Sequence, residues 1–188
     1  MVKAQTMVND ICNWSHRNCL AIHPKKSVMM ILSPKTFIGP LPQVLLDGKP
    51  ITYVSKAKCL GVTIDSSLSW NDHVSSITKQ FSIKVKKLYQ MSFLPTKSLS
   101  NIYMQGILPS ATYAISVWGN CSNSHLEHLN SLHIKAARFV YRIRKSIPDS
   151  QVLSIAGWKS FELMYRHNIS CLTYKLYKNQ LPGNLDYC

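Results

Sequence analysis

Acidic side chains are scarce. Eight Asp and Glu stand against 22 Lys and Arg in 188 residues, for a formal charge of +14 with His neutral. The eight are Asp10, Asp47, Asp65, Asp72, Glu127, Asp149, Glu162 and Asp186, and no two are adjacent. So one-sided a balance turns the chain away from cationic partners and toward polyanions, nucleic acid first and an anionic membrane surface second. Long apolar runs are missing too. No stretch reaches the roughly 18 uninterrupted apolar residues of a spanning helix, which argues against a membrane-spanning protein. The start, "MVKAQTMVNDICNWSH", has neither the apolar core nor the small-residue cleavage site of a secretory signal. Cysteine pairs at short spacing are absent: the six lie at 12, 19, 59, 121, 171 and 188. That spacing speaks against a disulfide framework and predicts reduced, buried thiols in a nuclear or cytoplasmic protein. What is present is a 46% hydrophobic chain with enough aromatics to exclude wholesale disorder. Its length suits one medium domain or two small ones.

The pattern predicts an α+β fold. Residues 2–20 read as a helix with Val8, Ile11, Cys12, Trp14, Ser15 and Cys19 on a loose 3.6 period. "SVMMILS" (27–33) is short and apolar, as a buried strand would be, and "PKTFIGPLP" is a proline-rich loop. "QVLLDGKPITYVS" (43–55) predicts a hairpin turning at Asp47-Gly48, and "KCLGVTID" a further strand, so 27–65 forms a small, mostly antiparallel β region. From Ser69 the chain turns helical. Ser69 and Asp72 form a capping-box pattern ahead of an apolar stripe of Trp70, Val74, Ile77, Phe81, Val85 and Leu88. "SLSNIYMQGIL" predicts a helix ending near Pro109, and "SATYAISVWG" a short one closed by Gly119. Ser124 and Glu127 open another, which carries Leu126, Leu129, Leu132, Ala136, Val140 and Ile143 and stops at Pro148. "FELMYRHNISCLTYKLYKN" is the last. The composition shift near 69 divides the chain into 1–68 and 69–188.

In this order the motifs become recognisable. "CLGVTIDSSLSWNDHVSSI" resembles the segment that closes the palm and enters the thumb in reverse transcriptases of non-LTR retrotransposons, the jockey-like LINE type. "WSHRNCLAIHPKKSVMMI" upstream, with "IYMQGILPSATYAISVWG" and "LNSLHIKAARFV" downstream, is similar to the family's flanking blocks. The resemblance covers residues 1–145 in order, with His23 where the family has Asn before Pro. It implies a small antiparallel palm remnant followed by a helical thumb-like bundle that holds the RNA and DNA of a primer–template duplex. It implies that Lys26 assists the leaving pyrophosphate, where a cation stabilises developing charge. It also places Leu60 and Gly61 in the primer-grip hairpin. Polymerase chemistry in that family needs two magnesium ions held by an isolated Asp and an Asp-Asp box. With no adjacent acids, this chain alone is expected to be inactive and to associate with a polymerase part N-terminal to it, magnesium belonging to the intact enzyme. Two other readings stay open: a non-enzymatic basic module that binds nucleic acid, and a non-functional retroelement relic.

Bland readings stand beside the sharp ones. Asp65 could bind a metal, but a lone carboxylate holds magnesium poorly, and a turn or cap role is favoured. Lys26 could equally be a solvated residue at a strand start. Cys121, His125, His128 and His133 match no zinc spacing, so the histidines are expected on a helix surface. Lys135, Arg138, Arg142 and Lys145 recur at steps of three, four and three, one helix face opposite Leu129, Leu132 and Val140. Lys79, Lys86 and Lys87, with Lys84, mark the polar side of the helix after Trp70. Such runs can be mere solvated faces. The lack of balancing acids favours sequence-independent phosphate contact.

Overall fold

The computed structural model describes residues 2–33, 39 and 41–180. The chain forms two compact units, Met1–Ser69 and Trp70–Cys188, and its class is α+β. Most of the proline-rich loop and Cys188 lie outside the described residues.

The first unit opens with helix α1 (Val2–Arg17) and a 3-10 turn, Pro24–Lys26. Among the described residues six short strands follow: β1 (Val28–Met29), β2 (Leu45–Leu46), β3 (Lys49–Pro50), β4 (Thr52–Tyr53), β5 (Lys56–Cys59) and β6 (Val62–Asp65). The apolar run at 27–33 forms a strand over two residues only, and it pairs parallel with β4 rather than antiparallel. It is not a buried strand: Val28 and Leu32 are exposed, and Met29, Met30 and Ile31 half-buried. The unit's core is small, built on Cys12, Val44, Leu46 and Val62. The side chain of Gln5 on α1 completes it from the side. Its Nε2 donates to the Leu45 carbonyl and its Oε1 accepts the Leu45 amide, each at 2.9 Å. One glutamine thereby replaces a missing strand neighbour.

Two tight hairpins shape the β region. β2 and β3 turn at Asp47 (φ 47°) and Gly48 (φ 74°), as the dipeptide predicts. "KCLGVTID" is a second hairpin rather than a single strand. β5 and β6 pair antiparallel from Lys56↔Asp65 to Cys59↔Val62, which leaves Leu60 (φ 47°) and Gly61 (φ 88°) as the two-residue turn. Positive φ at both positions is the type I′ geometry whose twist matches the strands. Glycine adopts it freely; leucine does so at a cost of roughly 1 kcal/mol.

Asp65 closes this hairpin and shapes the exit. It is buried, and its Oδ1 accepts from the amides of Ser67 and Ser69, each at 3.1 Å, and from the Ser67 hydroxyl. Oδ2 accepts from the Ser69 hydroxyl at 3.1 Å. Ser69 is therefore turned back toward Asp65, one residue ahead of the helix cap. Trp70, in a left-handed conformation (φ 62°), takes the cap position of the next helix instead. Replacing Asp65 by Ala should destabilise the first unit by about 0.5–2 kcal/mol, since the exposed Ser67 and half-buried Ser69 lose the acceptor that fixes the turn. Asp65→Asn, which keeps Oδ1, should cost less. Thermal melts of both variants with and without magnesium check this; a magnesium-dependent gain present in the parent and lost in Asp65→Asn would refute the turn role.

The second unit is helical: α2 (Asn71–Tyr89), α3 (Thr96–Asn101), a π-helical turn (Ile102–Ile107), α4 (Leu108–Thr112), α5 (Ile115–Trp118), α6 (Asn123–Tyr141), α7 (Asp149–Ala156) and α8 (Phe161–Tyr177). The α2 stripe packs as its spacing predicts, with Val74, Phe81, Val85 and Leu88 buried and Ile77 half-buried. Pro109 does not end the helical path. It sits in the first turn of α4, where its missing N–H is tolerated, directly after the wide π turn. α6 begins two residues earlier than the Ser124–Glu127 box predicts, with Ser122 rather than Ser124 at the cap. It ends at Tyr141, with Arg142 as a left-handed cap (φ 52°). Pro148 opens α7, a helix not expected from the sequence pattern. α5 and α8 touch closely at Gly119, where an added Cβ would fall 2.7 Å from Cγ of Tyr165.

Candidate nucleic-acid interface

Exposed cations dominate the helical unit. Lys79, Lys86 and Lys87 project from α2 and Lys135 from α6, all exposed. None of these four makes an ion pair among the described residues. The rest of the predicted α6 stripe differs. Because the helix ends at Tyr141, Arg142 and Lys145 lie beyond its last turn, so the four cations do not share one helix face. Arg138 is committed internally. It pairs with Asp149 at 2.6 Å and donates to the carbonyls of Arg144 (2.8 Å) and Ile147, and only 18% of its side chain is exposed. It binds the α6–α7 connection rather than standing open to solvent. A stripe counted by periodicity cannot reveal where a helix stops, and here the left-handed cap decides it.

In the first unit Lys26 is exposed at the end of its 3-10 turn, two residues before β1, with Lys25 beside it. Leu60 and Gly61 form the tip of the β5–β6 hairpin, and the Leu60 side chain is 86% exposed. An apolar side chain held in a strained conformation and presented to solvent gains nothing from burial.

The histidines are not all on the surface. His128 is exposed and His125 half-buried against Asn71 Oδ1 (3.1 Å), but His133 is fully buried at the centre of the unit. Its Nε2 lies 3.1 Å from the Lys159 carbonyl and its Nδ1 meets the Tyr103 hydroxyl. A carbonyl can only accept, so Nε2 carries the proton and Nδ1 accepts from the phenol. Tyr103, Trp158 and His133 stack, the first two with ring centroids 4.5 Å apart and nearly parallel. Burial pulls the His133 pKa down to about 4 and pushes the Tyr103 phenol well above its ordinary value, with Tyr89 adding to the latter. Both groups are held neutral, as a structural centre requires. The sequence signal was available: His133 lies on the buried α6 line at Leu129, Ala136 and Val140, at steps of four, three and four.

Among the described residues no three His, Cys, Asp or Glu come together as a ligand group, and the chain has no adjacent carboxylates. Thiols also depart from expectation. Cys12 and Cys121 are buried, but Cys19, Cys59 and Cys171 are exposed, all five free. Among the described residues, no helix is long and apolar enough to cross a membrane.

Comparison with known proteins decides the family. The chain is 32% identical over 133 residues to the probable RNA-directed DNA polymerase from transposon X-element of Drosophila melanogaster, a match covering 68% of this chain. It is also 32% identical over 133 residues to the RNA-directed DNA polymerase from mobile element jockey of the same fly, over 67% of the chain. With the probable polymerase from transposon BS it shares 23% over 140 residues. The chain belongs with the reverse transcriptases of jockey-type non-LTR retrotransposons. It spans only a small part of them: 14% of the X-element and jockey polymerases and 16% of the BS polymerase. No family model matches it, and no solved structure does.

Proposed function

We propose that this chain is the palm edge and thumb segment of a non-LTR reverse transcriptase, and that it holds the primer–template duplex without carrying the catalytic carboxylates. The family relationship carries the reading. The hairpin and strands would be the palm remnant, and residues 70–180 the thumb. The exposed Lys79, Lys86, Lys87 and Lys135, none in an ion pair among the described residues, would meet phosphates of RNA and DNA. Leu60 and Gly61 would touch the primer strand; the strained, exposed leucine favours contact with a partner over a role in stability. Lys26 would lie near the departing pyrophosphate in the intact polymerase, where its charge offsets that of the leaving phosphate.

Residues 1–188 alone should show no template-dependent primer extension with magnesium or manganese; incorporation that persists through purification would overturn that part. Duplex and RNA–DNA hybrid should bind in a salt-dependent, sequence-independent way. Replacing Lys79, Lys86, Lys87 and Lys135 by Ala should weaken all duplex sequences alike and flatten the log–log salt slope by roughly 0.9 per lost phosphate contact. Arg138 is left intact in this test because it ties the α6–α7 connection through the carbonyls of Arg144 and Ile147. Binding indifferent to salt, or unchanged in the fourfold variant, would end the reading.

A further inference from the structure

Residues 142–148 connect α6 to α7 and form neither helix nor strand. Within them Ser146 follows Arg142, Ile143, Arg144 and Lys145, and no other serine of the chain has three cations among the four residues before it. All three cations are exposed, and none is in an ion pair among the described residues. Asp149, the nearest acid in sequence, is taken by Arg138 at 2.6 Å. Ser146 is itself exposed, and its hydroxyl makes no hydrogen bond among the described residues. Ser27, Ser98 and Ser160 also follow a lysine directly, but each is held in the fold. Ser27 is half-buried and donates to the His23 carbonyl at 3.2 Å. Ser98 is half-buried within α3. Ser160 is half-buried and its hydroxyl accepts the Leu163 amide at the start of α8.

A free hydroxyl on an exposed, irregular segment, led by three cations, suits one chemistry: phosphoryl transfer by a kinase whose acidic subsites bind basic residues ahead of the acceptor. We propose that Ser146 is a phosphorylation site for a basophilic protein kinase, and that its phosphate weakens the hold of the chain on nucleic acid. The Ser146 Oγ would attack the γ-phosphorus of ATP. The bond to the bridging oxygen breaks, ADP leaves, and the hydroxyl proton passes to the catalytic carboxylate of the kinase. Phosphoserine carries about −2 charge at pH 7, here set among the three positive charges of Arg142, Arg144 and Lys145. It cancels most of the attraction those side chains exert on a polyanion, and it acts in a connection where no free acid does so already. The inference rests on the reading of the chain as a nucleic-acid holder, and adds a control to it.

The test incubates the full chain with ATP, magnesium and the catalytic fragment of protein kinase C, and locates phosphate by peptide mass spectrometry. Ser146 should be the principal acceptor. Ser146→Ala should lose that phosphate, melt at the temperature of the parent because the site is exposed, and bind a hairpin duplex as the parent does. Arg144→Gln should slow modification of Ser146. In fluorescence anisotropy the phosphorylated chain should bind the duplex more weakly, with a log–log salt slope flatter by roughly 1.8, the worth of two phosphate contacts. Ser146 left unmodified while other residues are phosphorylated overturns the proposal. So does loss of binding that persists when Ser146→Ala receives the same treatment, which would put the control at another residue. If the unmodified chain binds no duplex, the proposed function falls and this inference with it. If it binds, and phosphorylation at Ser146 leaves affinity and salt slope unchanged, only this inference falls.

Discussion

Tyr103→Ala is expected to bring the helical unit close to unfolding. The ring lies fully buried in the π turn, stacked on Trp158, tilted against Phe81, and bound through its hydroxyl to His133. Truncating a buried aromatic of this size costs about 3–5 kcal/mol through lost burial and the cavity left behind. A second loss follows, because Nδ1 of His133 stays buried without its donor, at about 1–3 kcal/mol. The sum is comparable with the whole stability of an ordinary domain, about 5–15 kcal/mol. Tyr103→Phe separates the two parts. It keeps the stack and removes only the hydroxyl, so it should cost about 1–3 kcal/mol. Urea denaturation followed by Trp fluorescence measures both. If Tyr103→Ala were no worse than Tyr103→Phe, the aromatic stack would not be what holds the unit together.

Acid should weaken the same unit through His133, and the sign follows from its environment. An unfolded imidazole takes up its proton near pH 6.5, the folded one only near pH 4, because burial disfavours the cation. Above the unfolded value both states are neutral and the contribution is fully present. As pH falls below it, the unfolded state binds the extra proton and stability declines. By about pH 4 the loss is nearly complete, about 3 kcal/mol at 1.36 kcal/mol per pKa unit. His133→Gln removes the titrating group. It should be less stable at pH 7, yet its stability should fall less steeply between pH 6 and 4.5, by up to about 1.4 kcal/mol per pH unit. Denaturation midpoints at several pH values compare the slopes, and identical slopes in parent and variant would show that His133 is not the acid-sensitive group. Carboxylates that titrate lower affect both proteins alike.

Much of the architecture was legible because it depends on local periodicity. The α2 stripe, the Asp47-Gly48 turn and the helical character of everything after Ser69 follow from spacing and from residues suited to positive φ. Motif order likewise pointed to the retrotransposon reverse transcriptases before any comparison, since order and spacing survive where individual residues drift. Boundaries were less legible. The Ser69–Asp72 pattern sets the helix cap at Ser69, and only the folded chain shows Trp70 at the cap with Ser69 bound back to Asp65. The run "KCLGVTID" reads as one strand until pairing puts Leu60 and Gly61 at a turn.

The sequence by itself determined the α+β class, the family and the excess of positive charge, because composition, period and motif order are properties of the chain. Which of those charges stand open was decided by tertiary structure alone. Arg138 and Arg142 look equivalent at helical spacing, yet Arg138 is bound to Asp149 eleven residues on, while a left-handed cap carries Arg142 out of the helix. His133 was likewise fixed by contacts distant in sequence, with Tyr103 thirty residues before it and Lys159 twenty-six after it. Which groups pair is set by which elements meet, and that is information no local window contains.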